Sequence, residues 1–399
     1  MTQVLIIGAG PAGLGAAKVL AQAGAQVTVV ERQAQSGGIP RLCGHSPFGM
    51  REFHRLMGGQ AYARCLAKAA TAAGAQILLN HSVTAIDSVV RVATPQGEIT
   101  LTPDCILLAT GAREASRAER LLPGERPLGI VTSGALQDLW FARNTLPFRR
   151  PVILGSELVA MSAILTCRQA GAKPVAMVEP AEHLIARAPF RWLPKALGLP
   201  VLTSTTVVDI IGKEGRLSQL MLCDAAGQTK VIDCDGLVLT GAFRPESGLA
   251  RMCGLEIDPA TQGPVVDQFD RTSRLGVYAA GNLLRGIETA GHCWAEGRAI
   301  ALAMLGDLPP AAVIQVGPGQ GLRYVMPQRL AFGTNAALPA LQIRLDRPAR
   351  GTLTLTDAQN RRIASLQIAS APERRVTLPL AGLDLRQAQG PLTVSMEAC

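Results

Sequence analysis

Residues 4–13 read Val-Leu-Ile-Ile-Gly-Ala-Gly-Pro-Ala-Gly, a pattern that few folds can accommodate. Four consecutive apolar residues predict a strand buried on both faces, and G-x-G-x-x-G then leads into a helix. Gly8 permits the tight turn, Gly10 lets the backbone approach a pyrophosphate, and Gly13 lets the helix pack closely on the strand. Pro11 and Ala12 open the helix, whose N-terminal N–H groups and partial positive charge suit phosphate oxygens. A second strand over 26–30 ends at Glu31, placed to accept hydrogen bonds from an adenosine ribose. With all these parts in register, the segment predicts a dinucleotide site rather than an unrelated glycine-rich turn.

The order continues and then repeats. A helix is expected over 11–24, a Gly/Pro-rich loop over 36–49, an Ala-rich helix over 58–74 and a strand near 76–79. A three-stranded meander (about 83–102) and a buried strand at 105–108, ending in Thr110-Gly111-Ala112, close the unit. From Pro151 the same sequence of parts recurs: strand, Gly155 turn, helix 157–171, strand ending at Glu179, meander 205–231, and a strand ending in Thr240-Gly241-Ala242. A further buried strand covers 274–282 and a helix about 290–305. Pro309-Pro310 and Gly317–Gly321 then read as a linker. Beyond it, period-two alternation at 341–345, 351–355, 363–368, 375–380 and 392–396 predicts a small β-sandwich. The expected fold class is α/β: two Rossmann-like domains plus a small all-β C-terminal domain.

Composition narrows the function. A chain of 399 residues exceeds one ordinary core, and 48% hydrophobic against 17% charged residues predicts a well-buried globular protein. No apolar run reaches membrane-spanning length, and the first strand starts almost at Met1, so no signal peptide and a cytoplasmic location are expected. The nine cysteines fit that compartment, being scattered without a C-x-x-C pair. The net charge of +9 comes from dispersed arginines, not a basic tract with interleaved aromatics, which argues against nucleic acid and fits an acidic partner protein or an anionic substrate equally. Five histidines with no H-x-H or H-x3-H spacing, and no clustered cysteines, predict no metal or iron–sulfur site.

Taken together, Gly8–Gly13 with Glu31, Thr110-Gly111, and Gly276–Asn282 resemble the three FAD signatures of the pyridine-nucleotide:disulfide oxidoreductase superfamily, the flavoproteins with two dinucleotide-binding domains. The resemblance covers residues 1 to about 308. It implies a discontinuous FAD-binding domain, 1–112 and 240–308, with a second NAD(P)-binding-like domain, 113–239, inserted, and leaves 313–399 as the β domain. It also implies FAD contacts from Arg32, Gly38, Gly281 and Asn282, although the third signature normally ends in an aspartate. Gly38-Ile39, Cys43, His45 and Gly281–Arg285 look similar to FAD subunits of heteromeric dehydrogenases: the hydrogen cyanide synthase, opine oxidase and hydroxyproline dehydrogenase groups, and members found beside glycerol-3-phosphate dehydrogenase.

Two departures shape the functional expectation. Disulfide reductases of this superfamily carry two close cysteines, whereas Cys43 stands alone and the next is Cys65, so a dithiol relay is not expected. In the inserted domain the close-approach position carries Glu157, whose bulk and charge disfavour a pyrophosphate, so NAD(H) binding is doubtful and a retained scaffold is the expected role. Cys43, His45 and His292 are candidate proton donors or acceptors near the flavin by analogy, and each fits a packing role as well. The expected function is an FAD-dependent oxidoreductase, the flavin-carrying or electron-transfer subunit of a heteromeric dehydrogenase or oxidase acting on a small organic substrate. A stand-alone NADH-dependent flavin reductase and a structural subunit with architectural FAD stay open. So do a lid, a partner-docking surface and simple capping for the β-rich tail.

Overall fold

A computed structural model describes residues 1–286, 288–306, 313–331, 338–383, 385 and 388–398. By compactness the chain divides into two units: 1–38, 63–112 and 245–399 form the first, and 39–62 with 113–244 form the second. Segment 39–62 thus belongs with the inserted part of the chain, and the C-terminal strands belong with the first unit.

The first unit is built on a parallel sheet of five strands. They are β1 (Gln3–Ile7), β2 (Gln26–Glu31), β3 (Gln76–Leu79), β4 (Cys105–Leu108) and β5 (Val277–Ala279), in the spatial order β5-β4-β1-β2-β3. Ile6 stands in the centre, paired with Val29 on one side and Leu107 on the other. Central strands with no polar face explain the unbroken apolar runs, since alternation would bury charges. Helix α1 (Pro11–Gln22) follows β1, and α2 (Ala290–Leu305) packs along it. Their small residues set the separation: a Cβ on Gly15 would lie 2.6 Å from Trp294 O, and one on Gly297 2.8 Å from Ala12 C. The expected meander is present as Ser82–Ile86, Val90–Thr94 and Gly97–Leu101, antiparallel throughout.

The C-terminal strands form two sheets around one core. Five strands run in the order Arg329–Ala331, Val313–Pro318, Leu392–Ala398, Ala349–Thr356, Arg362–Ser370, and three more in the order Leu322–Met326, Ala340–Leu345, Val376–Pro379. Ile314, Val316, Val325, Leu341, Ile343, Leu353, Leu355 and Val394 fill the space between them. The expected linker needs correction here: Gly317 and Pro318 close a strand, whose alternating Val313-Ile314-Gln315-Val316 outweighs the Gly/Pro signal after it. Pro309-Pro310 lie outside the described residues. The sandwich is joined to the first unit through its core. Met326 and Leu338 are buried in the same cluster as Leu5, Ile7, Leu108 and Val266. Gln328 N donates to Val266 O (3.1 Å), and Gln268 Nε2 donates to Ala331 O (2.7 Å).

The second unit repeats the first on a smaller scale. Its parallel sheet runs Val201–Leu202, Ala176–Val178, Pro151–Leu154, Gly236–Leu239, Ile130–Thr132, with helix Leu158–Gln169 after the central strand and a meander over Thr205–Lys213, Arg216–Asp224 and Thr229–Asp233. No helix among the described residues is long and apolar enough to cross a membrane.

Candidate functional site: two nucleotide-type turns and a buried ionic cluster

Every signature of the first unit falls at the carboxyl ends of the parallel strands, the edge where open α/β sheets bind ligands. Gly8 has φ +109°, and a Cβ there would overlap Ala109 O, so only glycine fits between β1 and β4. At Gly10 the space is open: a Cβ would meet nothing nearer than Gly38 Cα at 4.0 Å. Gly38, at φ +61°, faces it so closely that its own Cβ would lie 2.9 Å from Gly10 Cα. Pro11 and Ala12 begin α1, whose first turn contains no acid, leaving the helix N-terminus positive. Gly13 sits where any Cβ would strike Gly8 O.

Glu31, at the end of β2, accepts from Ala9 N (2.9 Å, Oε2) and Gln33 N (3.0 Å, Oε1). Each oxygen keeps a further lone pair, so the fixed carboxylate can still accept ribose hydroxyls. Arg32 beside it is exposed. Thr110 and Gly111 are tied to Glu246: Thr110 Oγ1 donates to its carbonyl (2.9 Å), and its N–H donates to Gly111 O (2.8 Å). Gly281 brings the third signature onto α1, since a Cβ there would lie 2.9 Å from Ala12 Cβ. Gly8, Gly10, Gly38, Glu31, Thr110 and Gly281, with Asn282 next in the chain, thus gather at this one edge, a cradle whose open space at Gly10, unopposed helix terminus and fixed acid fit an FAD pyrophosphate and ribose.

Asn282 is held by a backbone pair. Its Oδ1 accepts from Glu288 N (2.7 Å), and its Nδ2 donates to Glu288 O (3.3 Å). The Glu288 side chain enters a buried ionic cluster that no local pattern announces. Arg285 is 1% exposed and forms a two-pronged pair with Glu296 (2.9 Å each). Burial alone would disfavour its charge, and Glu296 and Glu288 more than offset that. Glu288 would be raised by burial, but the His292 hydrogen bond and Arg285, Arg375 and Arg344 pull it down to about 2. Asp270 is fully buried, and neither of its oxygens has a hydrogen-bond partner among the described residues. Burial and Glu296 push its carboxyl well above the usual range, with Arg285 opposing. His292 lies in the first turn of α2, with Nδ1 at 3.1 Å from Thr289 Oγ1 and 3.4 Å from Glu288 Oε2.

The second unit contains the sister turn. Gly155 has φ +111°, almost the value at Gly8. Glu179 matches Glu31, accepting from Ala181 N (2.8 Å) and from the Ser156 hydroxyl (2.5 Å). At the position of Gly10, however, the Glu157 carboxylate turns back into the site. It accepts from Thr240 Oγ1 (3.0 Å) and fills the space beside Gly241, where a Cβ would lie 2.7 Å from Oε2. Burial raises its carboxyl above the usual range; Thr240 and Arg120 oppose this, and Glu179 reinforces it. The N-terminus of helix Leu158–Gln169 thus faces a carboxyl group of the chain's own.

Cys43 and His45 also lie in the second unit. Cys43 is buried, its Sγ donates to Ile39 O (3.6 Å), and burial pushes its thiol up to about 12, so it is no thiolate at neutral pH. His45 Nε2 lies 2.7 Å from Ser162 Oγ, which accepts from Gln137 Nε2 (2.7 Å). Burial lowers the His45 pKa, partly opposed by Ser46 O. No group of three or more His, Cys, Asp or Glu among the described residues could hold a metal ion.

The fold and cradle define a flavoprotein with two dinucleotide-type domains. Residues 2–297 match the family described as pyridine nucleotide-disulphide oxidoreductase, and the chain belongs to it: it is an FAD-dependent oxidoreductase. It is 28% identical over 337 residues to the benzene 1,2-dioxygenase system ferredoxin–NAD(+) reductase subunit of Pseudomonas putida, covering 76% of this chain and 78% of that one. It is 27% identical over 340 residues to an opine oxidase subunit of Agrobacterium tumefaciens (strain Ach5), covering 76% of this chain but only 65% of that one. Among solved structures, T. acidophilum thioredoxin reductase shares the fold at a TM-score of 0.63 and 22% identity, over 76% of this chain and 97% of that one.

Proposed function

We propose that this chain is the flavin-carrying, electron-transfer subunit of a multi-component oxidoreductase acting on a small organic substrate, and that its inserted domain no longer takes NAD(H). The observation behind the second half is Glu157. A buried carboxyl group stands where a pyrophosphate would lie, so an incoming dinucleotide would meet both bulk and like charge. The first half draws on the relatives, whose names describe subunits of a dioxygenase system and of an opine oxidase. The eight free cysteines among the described residues suit a reducing compartment, which supports placing the protein in the cytoplasm.

Bound FAD would supply two-electron acceptance and return. The chain's own residues do the rest: the open turn at Gly10 and the positive end of α1 hold the phosphates, Glu31 fixes the ribose, and Asn282 with the start of α2 lines the cradle at Gly281. His292, whose Nδ1 is engaged by Thr289 and Glu288, keeps Nε2 as the nitrogen able to exchange a proton.

Anaerobic stopped-flow mixing with NADH tests the reading. The flavin of the full-length protein is expected to bleach slowly or not at all, and Glu157→Gly to bleach at least about tenfold faster at low NADH. Millisecond bleaching of the unaltered protein would refute it. A stand-alone NADH-dependent flavin reductase is the second reading, favoured by the retained Gly155 conformation, the Glu179 geometry and the NAD(+) reductase relative.

A further inference from the structure

The C-terminal sandwich reaches the flavin cradle through one carboxylate. Glu288, 4% exposed, is approached by Arg344 (3.2 Å) and Arg375 (3.6 Å) from the sandwich, and by Arg285 (3.9 Å) and His292 (3.4 Å) from its own side. The two sandwich arginines stand on neighbouring chain segments, next to the paired residues Ile343 and Val376. Both are themselves braced. Arg344 Nε donates to Tyr324 Oη (3.2 Å) and its NH1 to Pro372 O (3.4 Å), while Arg375 NH1 donates to Gln342 Oε1 (3.1 Å). A sheet that buries charge this way is little more stable than one packed with apolar residues in the same place, because desolvation costs about as much as the pairing returns. What the arrangement does secure is the Glu288 peptide, which holds both ends of the Asn282 amide.

We infer that Arg344 and Arg375 are positioning residues for the flavin site: by fixing Glu288 they set Asn282 and the first turn of α2 against the cradle, so the C-terminal sandwich is a working part of the cofactor site. The inference holds whichever donor or partner the flavin serves. It also accounts for asparagine where the third signature usually has aspartate. A carboxylate could accept from Glu288 N but would turn a lone pair toward Glu288 O, whereas an amide satisfies both.

The test uses the full-length holoprotein. Arg375 is the more exposed of the pair, so Arg375→Met is expected to keep the near-ultraviolet circular dichroism of the apoprotein close to wild type and to lower its unfolding midpoint by less than removal of Arg344 would. FAD affinity, followed by recovery of free flavin fluorescence, should fall about tenfold, and the visible band of the bound flavin should shift. Arg375→Lys should restore most of both. Because the effect runs through Asn282, Asn282→Ala and the double variant Arg375→Met/Asn282→Ala should bind FAD within about twofold of each other. Additive losses in the double variant, or unaltered affinity and spectrum in Arg375→Met, would overturn the inference. Arg344→Met carries a risk of misfolding, so Arg344→Lys is used at that position. It should lose the Tyr324 and Pro372 contacts that brace the guanidinium and weaken FAD binding in the same non-additive way, and wild-type binding by it together with Arg375→Met counts against the clamp.

Discussion

Gly10 and Glu157 occupy one place in two copies of the same turn, and a single side chain separates an open turn from a filled one. At Gly10 nothing stands within 4 Å of a would-be Cβ except Gly38 Cα, at 4.0 Å. A larger side chain can therefore be accommodated in the free protein and would clash only with the cofactor. At Gly13 the opposite holds, because a Cβ would strike Gly8 O and disturb the fold itself. Gly10→Val is accordingly expected to leave the apoprotein's unfolding midpoint unchanged while weakening FAD binding at least about 100-fold, or roughly 2.7 kcal/mol. Titration of apoprotein with FAD checks it, and normal flavin content in the variant would show that the phosphates lie elsewhere. The same scale separates the candidates for chemistry. Cys43 is a protonated, buried thiol, and His45 is spoken for by Ser162.

Among elements, what local pattern encodes was legible and what depends on distant pairing was not. The two strand–turn–helix units, their terminal acids Glu31 and Glu179 and both meanders follow from runs of apolar residues and from glycines with positive φ. The alignment of Glu157 with Gly10 was legible from the register of the two turns. The cluster of Arg285, Glu288, Glu296, Asp270, Arg344 and Arg375 was not: its members run from Asp270, ahead of β5, to Arg375 in the sandwich, and each in isolation resembles a surface charge. The strand Val313–Pro318 was hidden by its own Gly/Pro ending. Nor did alternation within the tail reveal what its outer residues touch. Met326, 0% exposed, is a sandwich residue packed in the core beneath the first unit's parallel sheet. Met326→Ala should therefore cost roughly 2–5 kcal/mol, as buried large-to-small substitutions do. FAD should be released and the sandwich lost in one coincident thermal transition. Two separate transitions, with flavin release unchanged, would show that the sandwich folds apart from the cradle.

For the molecule as a whole, buried acids set opposing dependences on pH. Glu288 titrates near 4.5 when exposed in the unfolded chain and near 2 in the folded one. The unfolded state therefore takes up its proton first as pH falls. The Glu288 contribution is complete above about 4.5 and is lost between there and about 2, on the order of 3 kcal/mol across that window. Asp270 and Glu157 are shifted the other way, so for them the folded state protonates first and acidification relieves a cost. Glu119, also held near 2 by its Arg113 hydrogen bond, lies on the surface of the second unit and titrates in the same window. These other groups are shared by Glu288→Gln and drop out of a comparison with wild type. Glutamine mimics the protonated acid, so the two proteins should differ most in stability near pH 6 and converge as pH approaches 2. Urea unfolding at a series of pH values measures this, with Trp140 and Trp192 replaced by Phe so that Trp294 alone reports on the first unit. Parallel stability curves for the two proteins would mean that Glu288 is not ionised against its arginines in the folded state, and the charge of the clamp would have to be reassigned to Glu296 or Asp270.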